Sequence, residues 1–336
     1  MNIKDLAKLS GVAPSTVSKV INNYPGLREE TRKKVLETIK KYNYTSNMNA
    51  RNLSMQKSNL IGILAPGRAS FGIDSPFQSV ILEGFRRSIS ELGYDLIFVS
   101  SNIFGQDVSY LDHCRYMNLA GILLLAYDKT DVEVLNVIND NIQIVSTNFR
   151  DNKSVCEIYS DDREGTRLAV NYLIELNHSR IGYIYGPIEN SNSASVRLNS
   201  FKEVMTENNL LVNNSFIEGT KEYLFDEGYS AMEKILNRVD ELPTAVAVGS
   251  DLLAYGAIKA IKDRGLKVPE DISIIGFDGL ENSRYIDPAL TTIKQDMNKI
   301  GACAANKLVE IIKLGTFSDD IIIPVSLVIR ESCKKL

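Results

Sequence analysis

The chain has 336 residues, 44% of them hydrophobic, which is enough for two or three domains with cores of their own. The first 57 residues carry 11 Lys or Arg and 4 Asp or Glu, a net charge of +7, whereas the remainder carries 27 and 38, a net charge of −11. The longest apolar runs, such as residues 121–126, fall far short of the roughly 20 residues of a membrane-spanning helix, so the composition excludes a membrane protein.

The basic head, residues 1–45, has the apolar periodicity of three short helices. They are predicted over Ile3–Ser10, Pro14–Asn22 and Glu29–Tyr42. Gly11 separates the first two, and Val35, Leu36 and Ile39 are predicted to form the inner face of the third. A helix, a glycine-containing turn and a second helix are typical of a helix-turn-helix motif. The alternative is a solvated basic cap with no role in nucleic-acid binding.

Residues 46–58 are polar and nearly aperiodic, which indicates a linker, and from Leu60 onward short strands alternate with helices. Strands are predicted over Leu60–Ala65, Asp95–Val99, Gly121–Leu125, Ile142–Thr147, Arg180–Tyr185, Ala245–Val248 and Ile272–Phe277. Helices are predicted over Phe77–Leu92, Ser109–Asn118, Glu164–Leu176, Val196–Asn208, Glu227–Arg238, Asp251–Arg264 and Met297–Leu314. This alternation predicts parallel sheets covered on both faces, and the series restarts near Arg180, which suggests two similar α/β lobes.

Several short segments, in order and at consistent spacing, resemble bacterial transcription regulators of the LacI/GalR family over nearly the whole chain. They include Ile3-Lys-Asp-Leu-Ala-Lys-Leu-Ser-Gly-Val12, Thr16-Val-Ser-Lys-Val-Ile-Asn22, Ala50-Arg-Asn-Leu53, Asp161-Asp-Arg-Glu-Gly-Thr-Arg167, Ile275-Gly-Phe-Asp278 and Leu290-Thr-Thr-Ile-Lys-Gln-Asp296. The resemblance implies an all-α helix-turn-helix head (1–45), a hinge helix or linker (46–59) and an α/β periplasmic-binding-protein-like core (60–331) of two doubly wound lobes. The first lobe is expected over about 60–159 plus 292–320, and the second over about 160–290 plus 321–331.

The second helix of the head is the expected recognition helix, which must place short polar side chains against base edges in the major groove. Ser15 and Lys19 are the candidates for base contacts, and Thr16 and Ser18 for phosphate contacts. Asn22 completes the segment that resembles the family. Lys19 stands where the family usually has arginine, and because lysine lacks the rigid bidentate fork, specificity there is expected to be softer.

The linker resembles the family's hinge helix, which folds when two copies meet over the minor groove. Asn47, Ala50 and Leu53 match DNA-contacting positions of that helix, and Leu53 matches a leucine that wedges between base pairs and kinks the duplex. The alternative for Leu53 is an ordinary linker leucine.

Two positions in the head depart from the family pattern. Ala13 and Arg28 stand where the family often has a serine that caps a helix. Losing such a cap typically costs about 1 kcal/mol, so we expect a head that is less stable alone and gains order on DNA.

Polar residues follow several predicted strands, and in open α/β sheets ligands bind beyond the carboxyl ends of strands. Asn148, Ser250, Asp251 and Asp278 each follow such a strand, and Arg197 opens a helix after another. Charged and amide groups that hydrogen-bond paired hydroxyls are what a sugar needs. By the resemblance, Arg197 and Asp278 match sugar-contacting residues, Asn148 stands where some relatives have aspartate, and Ser250 replaces a frequent asparagine.

Further side chains are expected around the effector cleft between the lobes. Tyr223 matches an aromatic residue that stacks on the sugar, Phe77 with Phe71 is expected to form an apolar wall, and Asp161 or Asp162 to reach the ligand. Each candidate has a structural alternative. These are a helix cap for Asp251, a core position for Phe77, a surface loop for Tyr223 and a buried ion pair for Arg197 with Asp278.

Catalytic and metal-binding motifs are missing from the sequence. It has two histidines, four scattered cysteines, and no GxGxxG, P-loop or GxSxG segment. We therefore expect no enzyme activity, metal or cofactor, and the N-terminal residues and scattered cysteines favour a cytoplasmic protein.

The expected mechanism is a shift between two lobe arrangements, only one of which suits operator binding. The expected partners are a pseudo-palindromic DNA operator, a second copy of the chain and a small effector, most simply a sugar. The main alternative keeps the fold but responds to a purine or to a phosphorylated carrier protein. An enzyme with a DNA-binding appendage and an extracytoplasmic sugar-binding protein are the more distant alternatives.

Overall fold

The computed structural model describes residues 1–21, 24–44, 58–66, 75–103, 105–125, 131–147, 155–189, 191–239, 241–315 and 319–336. The chain divides into two compact units, Met1–Asn59 and Leu60–Leu336. Within the described ranges, no helix combines the length and the apolar character needed to cross a membrane.

The described part of the first unit folds into three helices, close to the predicted bounds. They are α1 (Ile3–Ser10), α2 (Pro14–Ile21) and α3 (Glu29–Lys41). Asn2 caps α1 in a capping box with Asp5, which satisfies backbone N–H groups that the first turn leaves unpaired. Gly11 ends α1 at φ 64°, a left-handed conformation that glycine adopts without steric cost.

The core of this unit is small and apolar. Its buried residues are Leu6, Ala7, Val17, Val20 and Val35. The prediction that Leu36 faces inward was wrong, because its side chain is 48% exposed. Consecutive helical residues point about 100° apart, so the inner face is taken by Val35 and Ile39, four residues apart. Arg28 occupies the N-cap of α3 without a side-chain capping bond, as predicted.

The second unit alternates strands and helices. Its strands are β1 (Leu60–Leu64), β2 (Asp95–Phe98), β3 (Asn102–Ile103), β4 (Gln106–Asp107), β5 (Gly121–Leu124), β6 (Gln143–Ser146), β7 (Cys156–Ser160), β8 (Ile181–Tyr185), β9 (Ile217–Gly219), β10 (Ala245–Val248), β11 (Ser273–Asp278), β12 (Thr291–Lys294), β13 (Ile321–Ile323) and β14 (Ser326–Val328). Its helices are α4 (Pro76–Glu91), α5 (Tyr110–Tyr116), α6 (Val132–Ile138), α7 (Asp162–Glu175), α8 (Asn192–Glu207), α9 (Phe225–Arg238), α10 (Asp251–Asp263) and α11 (Met297–Leu314). Short 3-10 turns lie at Asn214–Phe216 and Glu281–Arg284.

Two six-stranded sheets among the described residues share one strand order. The first lobe has the order β2-β1-β5-β6-β7-β13, and the second has β9-β8-β10-β11-β12-β14. Within these two sheets neighbouring strands are parallel except β14, which runs antiparallel to β12, and β3 and β4 form a separate antiparallel pair. In register, Ile61 pairs with Gly121 in the first lobe and Ile181 with Ala245 in the second. The central strands are buried and nearly all apolar, as parallel strands covered on both faces must be, which confirms the predicted fold class.

The chain crosses between the lobes after β7, after β12 and after β13, so each lobe is discontinuous, as expected. The predicted boundaries need one correction. We expected 292–320 in the first lobe and 321–331 in the second, but β12 pairs with β11 in the second lobe and β13 pairs with β7 in the first. Pairing decides the boundary, because each of these short strands obtains its ladder hydrogen bonds from the sheet it joins.

Each lobe contains a pair of helices whose backbones touch. In the first lobe, a Cβ at Gly84 of α4 would collide with the backbone of Asn298 at the start of α11. In the second lobe, a Cβ at Gly228 of α9 would collide with the backbone of Leu253 in α10. Glycine permits this close approach. The first contact holds the middle of α4 against the first turn of α11, and the second holds the first turns of α9 and α10 together.

Candidate functional site

Helix α2 of the first unit is amphipathic. Val17 and Val20 are buried, whereas Ser15 and Lys19 are exposed and Thr16 and Ser18 are half-buried. The four polar residues predicted to contact DNA therefore lie on or beside the outer face of one helix.

The remaining DNA-contact candidates, Asn22, Asn47, Ala50 and Leu53, fall outside the described residues. So do Asn148 and Phe71, which were predicted near the cleft. These six positions stay predictions from the sequence.

A cavity opens within the second unit at the carboxyl ends of the parallel strands. The first lobe contributes Ser75, Phe77, Gln78, Thr147, Tyr159 and Ser160 to its wall. The second lobe contributes Asp162, Ser191, Arg197, Tyr223, Ser250 and Asp278. Parallel strands all end at the same edge of their sheet, which is why residues far apart in sequence meet here.

Arg197, on the second turn of α8, is the cationic group among the described wall residues. Its Nε and Nη2 donate to Asp162 Oδ1 at 2.8 and 2.7 Å, and its Nη1 donates to the carbonyl oxygen of Gly249 at 2.6 Å. The guanidinium plane lies over the ring of Phe277, 3.6 Å from its centroid. Burial alone lowers the pKa of Arg197, but the surrounding carboxylates, Asp162 first, hold it above its usual value. Arg197 is therefore a fixed positive charge.

Asp278, the last residue of β11, is held in an uncommon backbone conformation with φ at 127°, the kind of strain that concentrates at functional sites. Its Oδ1 accepts a hydrogen bond from Gln295 Nε2 at 2.8 Å, and its Oδ2 accepts one from the backbone N–H of Asp251 at 3.3 Å. Oδ1 lies 3.9 Å from Arg197 Nη1. Burial raises the pKa of Asp278 well above the usual carboxyl range, and Arg197 offsets this only in part.

The structure does not bring Asp251 to the cavity wall, which corrects our expectation. Its carboxylate is fully buried and accepts hydrogen bonds from Leu280 N at 2.8 Å, Ser283 Oγ at 2.6 Å and Thr292 Oγ1 at 2.5 Å. These bonds tie the start of α10 to the segments that follow β11. Ser250, not Asp251, is the N-cap of α10, accepting from Leu253 N, and Ser250 also lines the cavity.

The acidic residue at the start of α7 also needs a correction. Asp161 is the N-cap of that helix, its Oδ1 accepting from Glu164 N at 2.9 Å, and it does not line the cavity. The next residue, Asp162, is buried against Arg197 and does line it. Of the two adjacent aspartates, one is structural and the other belongs to the site.

Two aromatic rings contribute to the wall. Tyr223 packs so closely over Gly186 that a Cβ there would collide with the ring, and its hydroxyl lies 3.3 Å from Ser191 Oγ in a hydrogen bond. Phe77 lines the cavity and also packs against the core of the first lobe, so the cleft and core interpretations both hold for it. Neither ring lies on an exposed surface loop.

The sequence predictions missed several wall residues. Gln78 is buried, and its Oε1 has no hydrogen-bond partner among the described residues. Thr147, Ser191 and Gln295 also line the cavity. Gln78 directly follows Phe77, and Gln295 lies within a segment that carried the family resemblance, so both could have been found from sequence.

Comparison with known proteins agrees with this architecture. A family model described as "Bacterial regulatory proteins, lacI family" matches residues 2–47, and one described as "Periplasmic binding protein-like domain" matches residues 170–333. The probable HTH-type transcriptional repressor ExuR of Bacillus subtilis (strain 168) is 34% identical over 340 residues, covering 100% of this chain and 99% of the relative. The HTH-type transcriptional repressor PurR of Histophilus somni (strain 129Pt) is 34% identical over 339 residues, covering 99% of each.

Among solved structures, the Lac repressor dimer bound to operator and the anti-inducer ONPF superposes with a TM-score of 0.84 at 27% identity, covering 99% of each chain. A helix-turn-helix head joined to a two-lobed periplasmic-binding-like core defines a bacterial transcription regulator. The chain belongs to the lacI family of such regulators. The relatives named here are regulators of transcription and not enzymes.

Proposed function

We propose that this protein is a repressor that binds its operator as a homodimer and whose affinity for that operator is switched by a small carbohydrate held between the lobes. The observation that carries the effector proposal is the pair Arg197 Nη1 and Asp278 Oδ1, 3.9 Å apart at the strand ends. That gap is too long for a direct hydrogen bond but suits one hydroxyl that accepts from the arginine and donates to the aspartate. Tyr223 and Phe77 add the apolar surface on which a sugar ring's C–H groups can pack.

The switch follows from the division of the wall between the lobes. Phe77, Gln78 and Thr147 come from the first lobe, and Arg197 and Asp278 from the second. A ligand that touches both lobes favours the arrangement in which both sets of contacts can form. The effector is an inducer if that arrangement is incompatible with operator binding, and a corepressor if it is the compatible one.

The outer face of α2 is the proposed DNA-reading surface, with Ser15 and Lys19 toward base edges and Thr16 and Ser18 toward phosphates. Asn22, Asn47, Ala50 and Leu53 complete the proposed contacts. A two-fold symmetric dimer reads two half-sites, so the operator should be a pseudo-palindrome. A repressor acts on the chromosome, so the proposed location is the cytoplasm.

A purine effector is the second candidate, because a relative at 34% identity is named PurR. Tyr223 and Phe77 could stack on a purine base as well as on a sugar ring. The difference lies in the polar groups. A purine offers ring nitrogens and amide-like groups in one plane, whereas the Arg197–Asp278 pair suits a hydroxyl.

The test is fluorescence anisotropy of the full chain on labelled pseudo-palindromes from the DNA flanking its own gene. The titration is run at one fixed salt concentration, because salt governs the phosphate contribution to affinity. Neutral sugars, sugar acids, sugar phosphates and purines are then added in turn to the protein–DNA complex.

A sugar that releases the operator or tightens its binding supports the proposal and gives the sign of the switch. A response to purines alone moves the effector to the second candidate. Tight operator binding that is indifferent to every small molecule would contradict a small-molecule effector and point to the phosphorylated carrier protein as the signal. Lack of preference for any pseudo-palindrome over random DNA would contradict the operator-binding role itself.

A further inference from the structure

The described residues around the cavity carry more negative than positive charge. Asp162 and Asp278 line the wall with Arg197, and Asp251 lies directly behind Asp278, to which its backbone N–H is bonded. All four side chains are buried. Two carboxyl groups of the wall, those of Asp162 and Asp278, thus share the Arg197 guanidinium in a region shielded from water, where charges interact more strongly than they do in solvent.

The donors of Arg197 are largely committed within the protein. Two of its nitrogens donate to Asp162 and the third donates to the carbonyl oxygen of Gly249, while Phe277 covers one face of the guanidinium. Carboxylate and phosphate groups are normally bound by the two-pronged edge of an arginine. Here Asp162 already occupies the edge formed by Nε and Nη2.

The remaining polar groups in the wall select for hydroxyls. Between Arg197 Nη1 and Asp278 Oδ1, a ligand group must accept a hydrogen bond on one side and donate one on the other. A hydroxyl does both, whereas a carboxylate or phosphate oxygen can only accept and would add a negative charge to a wall whose guanidinium is already paired with the Asp162 carboxylate.

We propose that Asp162 is a specificity-determining residue: by occupying Arg197, it makes the cavity select an uncharged polyhydroxy ligand and reject the corresponding sugar acids and sugar phosphates. This inference rests on the carbohydrate effector proposed above and narrows its chemical class.

The experiment is calorimetric titration of the full chain, at pH 7.5 and fixed ionic strength, with sugars in matched sets. Each set contains a neutral hexose, its uronic acid and its 6-phosphate, for example galactose, galacturonate and galactose 6-phosphate. The wild type should prefer the neutral member of the best-binding set by at least about 100-fold, because juxtaposing like charges in a buried site costs several kcal/mol.

Asp162→Asn removes one negative charge from the wall with almost no change in shape, because its amide oxygen can accept the same hydrogen bonds but leaves the charge of Arg197 unneutralised. The preference for the neutral sugar over its uronic acid should fall at least about tenfold in this variant. Glu164→Gln is the matched control, since it removes one carboxylate from the first turn of the same helix at an exposed position outside the cavity. The control should keep the wild-type preference.

A uronic acid or sugar phosphate that binds the wild type as tightly as its neutral parent overturns this inference and leaves the proposed carbohydrate effector standing. An unchanged preference in folded Asp162→Asn overturns the role of Asp162. If that variant does not fold, the wild-type sets still decide the ligand class. Binding of purines with no binding of any sugar removes the carbohydrate effector, and the inference with it.

Discussion

Gln78 places a buried polar side chain of the first lobe in the wall of the cavity. Its side chain is 4% exposed, and its Oε1 has no hydrogen-bond partner among the described residues. An unsatisfied buried acceptor costs about 1–3 kcal/mol, which is a reason to expect that the group serves binding and not stability. A ligand hydroxyl that donates to Oε1 would connect the first lobe to the effector.

Gln78→Leu replaces this amide by an alkyl group of similar size. We expect the free energy of unfolding to stay the same or to rise by up to about 1 kcal/mol, because a buried unsatisfied acceptor is removed. Effector affinity should fall about tenfold, which corresponds to one lost hydrogen bond. Urea unfolding and calorimetric titration measure the two quantities separately. Ser79→Ala, at the exposed neighbouring position, is the control, and a variant that loses stability but keeps its affinity would make Gln78 structural.

His178 connects three segments of the second lobe. Its Nε2 donates to the carbonyl oxygen of Lys334 at 3.0 Å, and its Nδ1 lies 3.0 Å from Thr244 Oγ1 and accepts from that hydroxyl. The side chain is buried, and burial lowers the pKa of His178 below its usual 6.5. The folded chain therefore binds a proton at this site less readily than the unfolded chain does.

This shift predicts how stability depends on pH. Between the unfolded pKa near 6.5 and the lower folded value, the unfolded state holds more protons, so the His178 contribution is complete above pH 6.5 and is lost as the pH falls. The slope from one proton is at most about 1.4 kcal/mol per pH unit. His178→Gln should flatten the curve of urea midpoint against pH between 7.5 and 5.5. Parallel curves for the two proteins would show that His178 does not titrate in this range.

At the site, the sequence identified polar residues near the ends of strands. It did not show which of them line the cavity and which have a structural role. Asp278 and Ser250 could be predicted because parallel strands deliver their carboxyl ends to one edge, and Arg197 because it lies near the start of a helix that follows such a strand. Asp161 and Asp162 could not be separated, because adjacent residues at a helix start point about 100° apart and only the packing of α8 shows which one meets Arg197. Asp251 lies just beyond the end of a strand and Asp278 at the end of one, yet the carboxylate oxygens of Asp251 accept from three donors later in the chain.

Among the helices, α3 begins at an unfavourable cap. Arg28 has the extended backbone of an N-cap, with φ −66° and ψ 135°, but its side chain makes no capping bond and brings positive charge to the positive end of the helix dipole. Its carbonyl oxygen already accepts the first helical bond, from Arg32 N at 3.0 Å. A hydroxyl at this position could accept from the amide groups of the first turn.

Arg28→Ser should therefore stabilise α3 by about 1 kcal/mol. Arg28→Ala removes the same charge without supplying a cap, so the difference between the two variants isolates the hydrogen bond. Amide hydrogen exchange of residues 30 and 31 in the full chain measures the effect. Equal protection in the serine and alanine variants would contradict a capping defect at Arg28.

The sequence predicted the long helices and the central apolar strands well, and several strands at or next to a sheet edge poorly. The helices α4 and α11 and the apolar strands β1, β5 and β10 lie within a few residues of their predicted bounds. The strands β7, β9, β12, β13 and β14 were missed, and each of them lies at or next to an edge of its sheet. β7 also contains the buried Glu157, and the sequence around this residue has no pattern that predicts a strand. Their tertiary pairing, not their propensity, makes them strands.

At the scale of the whole molecule, the DNA-binding head and the effector-binding core carry net charges of opposite sign. The basic residues of 1–57 supply attraction to phosphate, and the acidic remainder discourages DNA from binding elsewhere on the chain. Charge alone gives affinity without sequence preference, so specificity requires contacts that form only on the operator. In the proposed homodimer, Leu53, which lies outside the described residues, is the linker residue expected to make such a contact in each of the two copies.

Leu53→Ala should weaken operator binding by roughly tenfold, since part of a buried apolar side chain is lost from each copy. Binding to random DNA should change little, because it depends on phosphate contacts that the variant retains. Anisotropy on an operator and on a scrambled duplex at the same salt concentration gives both affinities, with Met55→Ala as a control for apolar truncation in the same linker. A wedge acts only where the duplex is kinked. An equal loss on both duplexes would therefore identify Leu53 as an ordinary linker leucine, and specificity would then rest on α2 alone.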